Sequence, residues 1–138
     1  MTKEKCLCDV DEVLLFSCSG GSNVGQIANE AAKKLADLGI GGMSCLAGIS
    51  GNVSGFVQAT RDVKKVVVID GCPIHCARKT LENAECPITH HVVVTDVGIK
   101  KKFDFNLDAR DIYKVINTVK EKLTVSKKAE LDKEREKL

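Results

Sequence analysis

Cysteine is the residue type best suited to chemistry in this sequence, which holds seven of them among 138 residues. Cys18, Cys45 and Cys72 each stand at or just past the end of a predicted strand, and each follows the previous one by 27 residues. Cys76 comes one helical turn after Cys72, a spacing that favours two thiols on one helix face. Thiolates bind soft metal ions and also attack electrophiles. The pattern therefore predicts a shared thiol site.

An alternation of strands and helices is expected to position these cysteines. Because such an alternation is typical of parallel sheets, we expect a three-layer α/β fold, with a mainly parallel sheet of four or more strands and helices on both faces. Ligands of such sheets bind at the carboxyl ends of the strands. Apolar runs and helical periodicity predict strands at 12–18, 40–47, 64–70 and 90–96, and helices at 24–38, up to about 60, at 73–83 and from 108 onwards.

The third strand and the turn after it form the centre of this arrangement. Val66–Ile69 is a β-branched run that indicates a strand buried on both faces. Pro73 suits the first turn of a helix, where its missing N–H costs nothing. We therefore expect Cys72 to cap a helix that begins at Pro73, with Cys76 one turn inside it. The positive end of that helix would favour the thiolate form of cysteine.

Composition and charge narrow the class of protein. The sequence is 43% hydrophobic and 29% charged, with a net charge of +2, no Trp and one Tyr, which argues against a nucleic-acid-binding surface. The apolar run at 13–16 follows acidic residues and suits neither a signal peptide nor a membrane span, so a cytoplasmic protein is expected. The length predicts one domain over residues 1–124, with 125–138 as a charged tail or helix extension. In a reducing compartment, metal binding, redox work or burial must account for seven cysteines.

Four thiolates at one edge of a sheet suit a closed tetrahedral site. Cys18, Cys45, Cys72 and Cys76 are therefore predicted to bind Zn²⁺. An iron–sulfur cluster would use the same four residues, and plain burial of small apolar side chains is the alternative without chemistry.

Thiol chemistry without a metal is a second class of function. Cys18 precedes the glycine-rich loop Gly20–Gly25, which resembles anion-cradling loops in which a cysteine is the nucleophile. No Arg follows in that loop, which argues against phosphatase chemistry. Cys72 and Cys76 form a C-x₃-C pair that offers a reversible redox role. A metal carrier or interaction module is a third class.

Other polar residues are expected to have lesser roles. Asp70 and Asp96 end strands on the side of the predicted site, where they would orient ligands or cap helices. His90 and His91 begin the fourth strand at the opposite, amino end of the sheet, which argues against a role in the site. His75 could replace a thiol ligand. Cys6 and Cys8 could be extra ligands or a mobile thiol donor, in a segment that is disordered by default. Cys86 is expected to be a bystander in a loop, and Lys100–Lys102 a solvated surface.

Three motifs in order, CSGGSNVGQIANEAAKKL, CLAGI and IDGCPIHCA, resemble the DGC-domain family of small prokaryotic proteins over roughly residues 10–120. Asp70, Gly71 and Cys72 match the Asp-Gly-Cys motif that gives the family its name. The family is described as zinc-binding, and its four chelating cysteines would fall on Cys18, Cys45, Cys72 and Cys76. The resemblance therefore implies zinc at these positions and brings no established reaction with it.

Overall fold

The computed structural model describes residues 12–137, which build one sheet with helices on both faces. This layout confirms the predicted three-layer α/β fold. Cys6 and Cys8 lie outside the described residues. In chain order the elements are β1 (Val13–Ser17), α1 (Asn23–Asp37), β2 (Gly42–Met43), α2 (Leu46–Ser50), α3 (Ser54–Asp62), β3 (Lys65–Asp70), α4 (Cys76–Asn83), β4 (His90–Val93), a 3₁₀ helix (Val94–Val97) and α5 (Ala109–Glu136).

The sheet has the strand order β2–β1–β3–β4, and every neighbouring pair is parallel. Because the four strands point the same way, their carboxyl ends share one edge of the sheet. Cys18 follows β1, Cys45 follows β2 and Cys72 follows β3, so these three cysteines come out at that edge. Cys18 and Cys72 follow the two inner strands of the sheet, whereas Cys45 follows an outer strand.

Two apolar cores, one on each face, hold the sheet between its helices. Alternate residues of a strand point to opposite faces, so Leu15 and Val67 pack against α1 and α5, whereas Phe16 and Val68 pack against α2, α3 and α4. All four side chains are fully buried, and burial of each stabilises the fold by roughly 1.5–3 kcal/mol. The middle of the sheet is therefore apolar on both faces, so polar and reactive side chains are expected at the ends of the strands.

Helix α1 begins at Asn23, within one residue of its predicted start. Ser22 precedes it, and the hydroxyl oxygen of Ser22 accepts the N–H of Gly25 at 3.1 Å. Such a cap replaces one of the hydrogen bonds that the first turn lacks. The helical spacing of apolar residues from Val24 to Leu38 predicts one buried face, which is buried as far as Leu35, whereas Leu38 is exposed.

The second and fourth strands are shorter than predicted. β2 spans Gly42–Met43, because the chain turns at Cys45 into α2, whose Ile49 is buried in the core on the far face. β4 ends at Val93, because its last register partner is Asp70, the final residue of β3. Beyond that pair the N–H of Thr95 still donates to the carbonyl oxygen of Gly71 at 3.2 Å, but the chain has already turned into the 3₁₀ helix.

The helix after β3 begins at Cys76 and not at Pro73, so this prediction was wrong. The residues before it form a turn in which the N–H of His75 donates to the carbonyl oxygen of Cys72 at 3.1 Å. His75 itself has a left-handed backbone, with φ of 59°. Cys72 therefore lies outside the helix, and the two thiols do not share a helix face.

Helix α5 begins at its predicted place and is capped by Asp108, whose carboxylate accepts the N–H of Arg110 at 2.8 Å. It continues without a break to Glu136 and so includes most of the charged segment after residue 124. The proposed division of the chain at that residue stays a prediction. No helix within residues 12–137 is both long enough and apolar enough to cross a membrane. The buried face of α5 consists of apolar residues at helical spacing, namely Ile112, Val115, Ile116 and Val119.

Candidate thiol site

The loop between β1 and α1 and the loop between β3 and α4 meet at the carboxyl edge of the sheet. A Cβ atom on Gly71 would lie 2.8 Å from the backbone nitrogen of Gly25, and one on Gly25 would lie 2.7 Å from the carbonyl oxygen of Gly20. Both distances are too short for any side chain, and the atoms in the way are backbone atoms. Glycine is therefore required at both positions, and the loop that carries Cys72 packs its bare backbone against the first turn of α1, directly after the loop that carries Cys18.

Cys18 is half-buried at this edge, as is Cys72. Its Sγ accepts the N–H of Gly20 at 3.3 Å. Burial raises the pKa of the Cys18 thiol, and nearby negative charge on Asp70 and Cys76 raises it further, whereas the N–H groups of Gly20 and Gly71 lower it in part. Because burial is the largest cause, Cys18 is a protonated thiol at neutral pH, which argues against an attacking role for it.

Cys72 lies beside a positive charge. The Nζ atom of Lys101 donates to the Sγ of Cys72 at 3.6 Å, and the same Nζ lies 5.5 Å from the centre of the Phe103 ring. Across residues 12–137, Lys101 takes part in none of the ion pairs. Its ammonium group is therefore directed at sulfur without a carboxylate to neutralise it.

Asn23 holds the loop that carries this lysine. Its side-chain amide donates to the carbonyl oxygen of Lys100 at 2.9 Å, and its Oδ1 accepts the N–H of Lys102 at 2.6 Å. Its own backbone N–H donates to the carbonyl oxygen of Lys102 at 3.0 Å. Three bonds thus fix the residues on both sides of Lys101 to the start of α1. The predicted solvated surface is correct for Lys100 and Lys102, which are exposed, but not for the half-buried Lys101, whose contact with Cys72 has no signal in the sequence.

The other two predicted ligands are exposed. Cys45 precedes the first residue of α2, and Cys76 is the first residue of α4. In the part of the chain that the structure describes, no group of three or more His, Cys, Asp or Glu side chains is arranged to hold one metal ion. The fold brings Cys18, Cys45 and Cys72 to one edge, and the shared four-cysteine metal site stays a prediction.

Asp70 organises the start of α4 from the end of the neighbouring strand. Its carboxylate is buried and accepts the N–H of Ala77 at 2.8 Å and that of Arg78 at 3.2 Å. The Nε2 atom of His91 lies 2.8 Å from the same carboxylate. Asp70 is thus a helix cap, one of the roles expected for it.

His91 lies next to the site and not remote from it, so the interpretation of its position was wrong. Its strand starts part-way along β3, opposite Val67, and its side chain therefore reaches Asp70. Nδ1 of His91 lies 3.4 Å from a guanidinium nitrogen of Arg78, which can only donate. His91 must accept there, so Nε2 carries the proton that is donated to Asp70. The ring of His75 packs edge-on against His91, with 4.9 Å between ring centres.

The remaining candidates lie apart from the thiols. Asp96 is exposed in the 3₁₀ helix. Burial lowers the pKa of His90, which contacts the hydroxyl of Thr89 at 2.8 Å. Cys86 is buried in the core on the far face of the sheet, and burial raises the pKa of its thiol.

A hollow of about 570 Å³ opens at the opposite, amino end of the sheet. Its walls include Lys65, Lys120 and Glu130, with no cysteine or histidine among them. The hollow and the reactive side chains are therefore at different ends of the sheet.

Comparison with known proteins identifies the family. A model of the DGC domain matches residues 14–119, which is most of the chain. The chain belongs to the DGC domain family. The anaerobic and virulence modulator AnvM of Pseudomonas aeruginosa (strain PAO1) is 34% identical to it over 111 residues, which cover 80% of this chain and 85% of AnvM. No solved structure matches the chain.

Each residue of the DGC motif has a separate structural task. Asp70 caps α4 and holds His91. Gly71 lets its loop pack against the first turn of α1, and Cys72 faces the ammonium of Lys101. The three consecutive residues of the motif therefore place a helix cap, a close backbone contact and a thiol next to one another.

Proposed function

We propose that this DGC protein is a thiol–disulfide redox protein whose working cysteines are Cys18, Cys72 and Cys76. The observation that carries the proposal is the ammonium of Lys101, which lies 3.6 Å from the Sγ of Cys72 and pairs with no carboxylate among residues 12–137. A cation beside a cysteine favours the thiolate, which is the form that attacks a disulfide. Cys72 is therefore the attacking residue of the proposal.

The reaction proceeds by two exchanges. The Cys72 thiolate attacks one sulfur of a low-molecular-weight disulfide, which forms a mixed disulfide and releases one thiolate. A second protein thiol then attacks Cys72 and releases the other half of the reagent. Two protein thiols become one disulfide, the reagent is reduced to two thiols, and no other oxidant is needed.

Cys18 and Cys76 are the available second thiols. Cys18 comes from the loop that touches Gly71, and Cys76 lies near enough for its charge to affect the pKa of Cys18. Burial keeps Cys18 protonated, which suits a residue that reacts second, after Cys72 has formed the mixed disulfide.

The relative's name supports the same direction. It describes AnvM as an anaerobic and virulence modulator, and a thiol site that responds to oxidants suits a protein connected with anaerobic conditions. A cytoplasmic location is part of the proposal, because a reducing compartment keeps the thiols ready to react.

The test is to treat the reduced protein, purified without air, with hydroxyethyl disulfide and to map its disulfides by mass spectrometry. We expect one intramolecular disulfide that joins Cys72 to Cys18 or to Cys76, and no such bond after Cys72→Ser. Unfolding curves of the reduced variants check that the fold is kept. If only mixed disulfides on the exposed Cys45 and Cys76 accumulate, the proposal is wrong.

Zinc binding by Cys18, Cys45, Cys72 and Cys76 is the second candidate, and the observation in its favour is that the first three follow adjacent parallel strands. A bound cation would favour the thiolate of Cys18 and release protons. Zinc and iron per chain in anaerobically purified protein, with an absorbance scan for an iron–sulfur cluster, test this candidate. Cys45→Ser separates the two: zinc binding requires Cys45, whereas the disulfide forms without it.

A further inference from the structure

We propose that Lys101 makes Cys72 selective for anionic partners, so that the disulfides and electrophiles that react there carry carboxylate or similar negative charge. The inference rests on the proposed function and names the substrate class of the same site. It depends on the position and the charge of one side chain.

The position of Lys101 is fixed. The backbone bonds of Asn23 to Lys100 and Lys102 hold the loop on both sides of it. Lys101 is half-buried, whereas both of its lysine neighbours are exposed. The backbone of the loop is therefore held where the ammonium of Lys101 reaches the Sγ of Cys72 at 3.6 Å.

The charge of Lys101 is available to a ligand. Within residues 12–137 its ammonium has the thiol of Cys72 as a polar contact and pairs with no carboxylate. Asp104, the nearest acidic residue along the chain, is exposed and accepts the N–H of Asn106 at 3.2 Å. An approaching anion would thus meet positive charge at the sulfur that it must reach.

The size of the effect follows from the distance. Two unit charges about 4 Å apart interact in water strongly enough to change a rate roughly fivefold, and more where solvent is partly excluded. We expect a preference of roughly tenfold at low salt for an anionic over a cationic disulfide at Cys72.

The experiment compares dithiodipropionate, which is a dianion, with cystamine, which is a dication, on the reduced full-length protein. The rate of mixed-disulfide formation at Cys72 is followed by peptide mass spectrometry. Lys101→Met removes the charge, and Lys101→Arg retains it. Lys102→Met is the matched control, because it removes the same charge from the same loop and leaves both backbone bonds to Asn23 in place.

We expect the anion preference in the native protein, in Lys101→Arg and in Lys102→Met, and its loss in Lys101→Met. Equal rates for the two reagents in the native protein would overturn the inference, as would equal losses in Lys101→Met and Lys102→Met. A preference that follows Lys101 while no internal disulfide forms would leave the inference standing and reject the proposed function. If an internal disulfide forms but the two reagents react at equal rates, the proposed function stands and the inference about Lys101 is rejected.

Discussion

The loops after β1 and β3 hold equivalent places in the fold, yet they start their helices in different ways. The first ends in Ser22, whose hydroxyl caps α1 from the position next to the helix. The second relies on Asp70, which belongs to the strand and reaches the N–H groups of Ala77 and Arg78 across the whole turn. One cap is local, and the other crosses an intervening loop.

The difference shows how the two loops divide their work. A local cap fixes a helix start and little else. Asp70 also holds His91 on β4, so one carboxylate joins the end of β3, the start of α4 and the outer strand. The turn with Cys72 is thus fixed at its two ends, by Asp70 at the end of β3 and by the start of α4 that Asp70 caps.

Asp70→Ala should break this arrangement with the largest effect. It leaves two helix N–H groups and the donor of His91 without their buried acceptor, and we expect the free energy of unfolding to fall by about 3 kcal/mol or more. Urea unfolding measures it. Asp70→Asn keeps one acceptor oxygen and should lose less. Equal losses for the two variants would contradict the capping role.

Gly71→Ala should have the next largest effect, because a Cβ there would lie 2.8 Å from a backbone atom of Gly25. We expect a loss of about 1–3 kcal/mol, as in other overpacked sites. Gly21→Ala is the matched control, since nothing lies within 4 Å of its Cβ position. Thermal unfolding of both variants checks the prediction, and a similar stability for the two would show that Gly71 does not pack against α1 as described.

Ser22→Ala should have the smallest effect of the three. It removes one capping hydrogen bond of 3.1 Å to Gly25, which is worth about 1 kcal/mol. Ser22→Asp, which restores an acceptor at the same position, should recover the loss in urea unfolding. If the free energy of unfolding fell as much as in Asp70→Ala, the conclusion that the Ser22 hydroxyl stabilises only the start of α1 would be wrong.

The same distinction explains which elements could be predicted from the sequence. Helix α1 and the start of α5 have their caps and apolar stripes within a few residues, so their bounds follow from local pattern. The start of α4 depends on Asp70, and the position of Lys101 depends on Asn23. Neither partner is near in sequence, and neither contact leaves a periodic signal.

The candidate site was predictable in outline for a related reason. Strand order and direction bring Cys18, Cys45 and Cys72 to one edge, and alternating strands and helices predict that edge. The directions in which the thiols point are set by irregular loops, so the sequence did not reveal that Cys72 faces an ammonium.

The very short β2 has a consequence for how the molecule behaves among its own copies. An outer strand of only two residues, Gly42 and Met43, offers another chain few free backbone groups to pair with. Long exposed edge strands promote aggregation, and natural proteins commonly keep their edge strands short. On that side the shortness of the strand limits how far a second chain can extend the sheet.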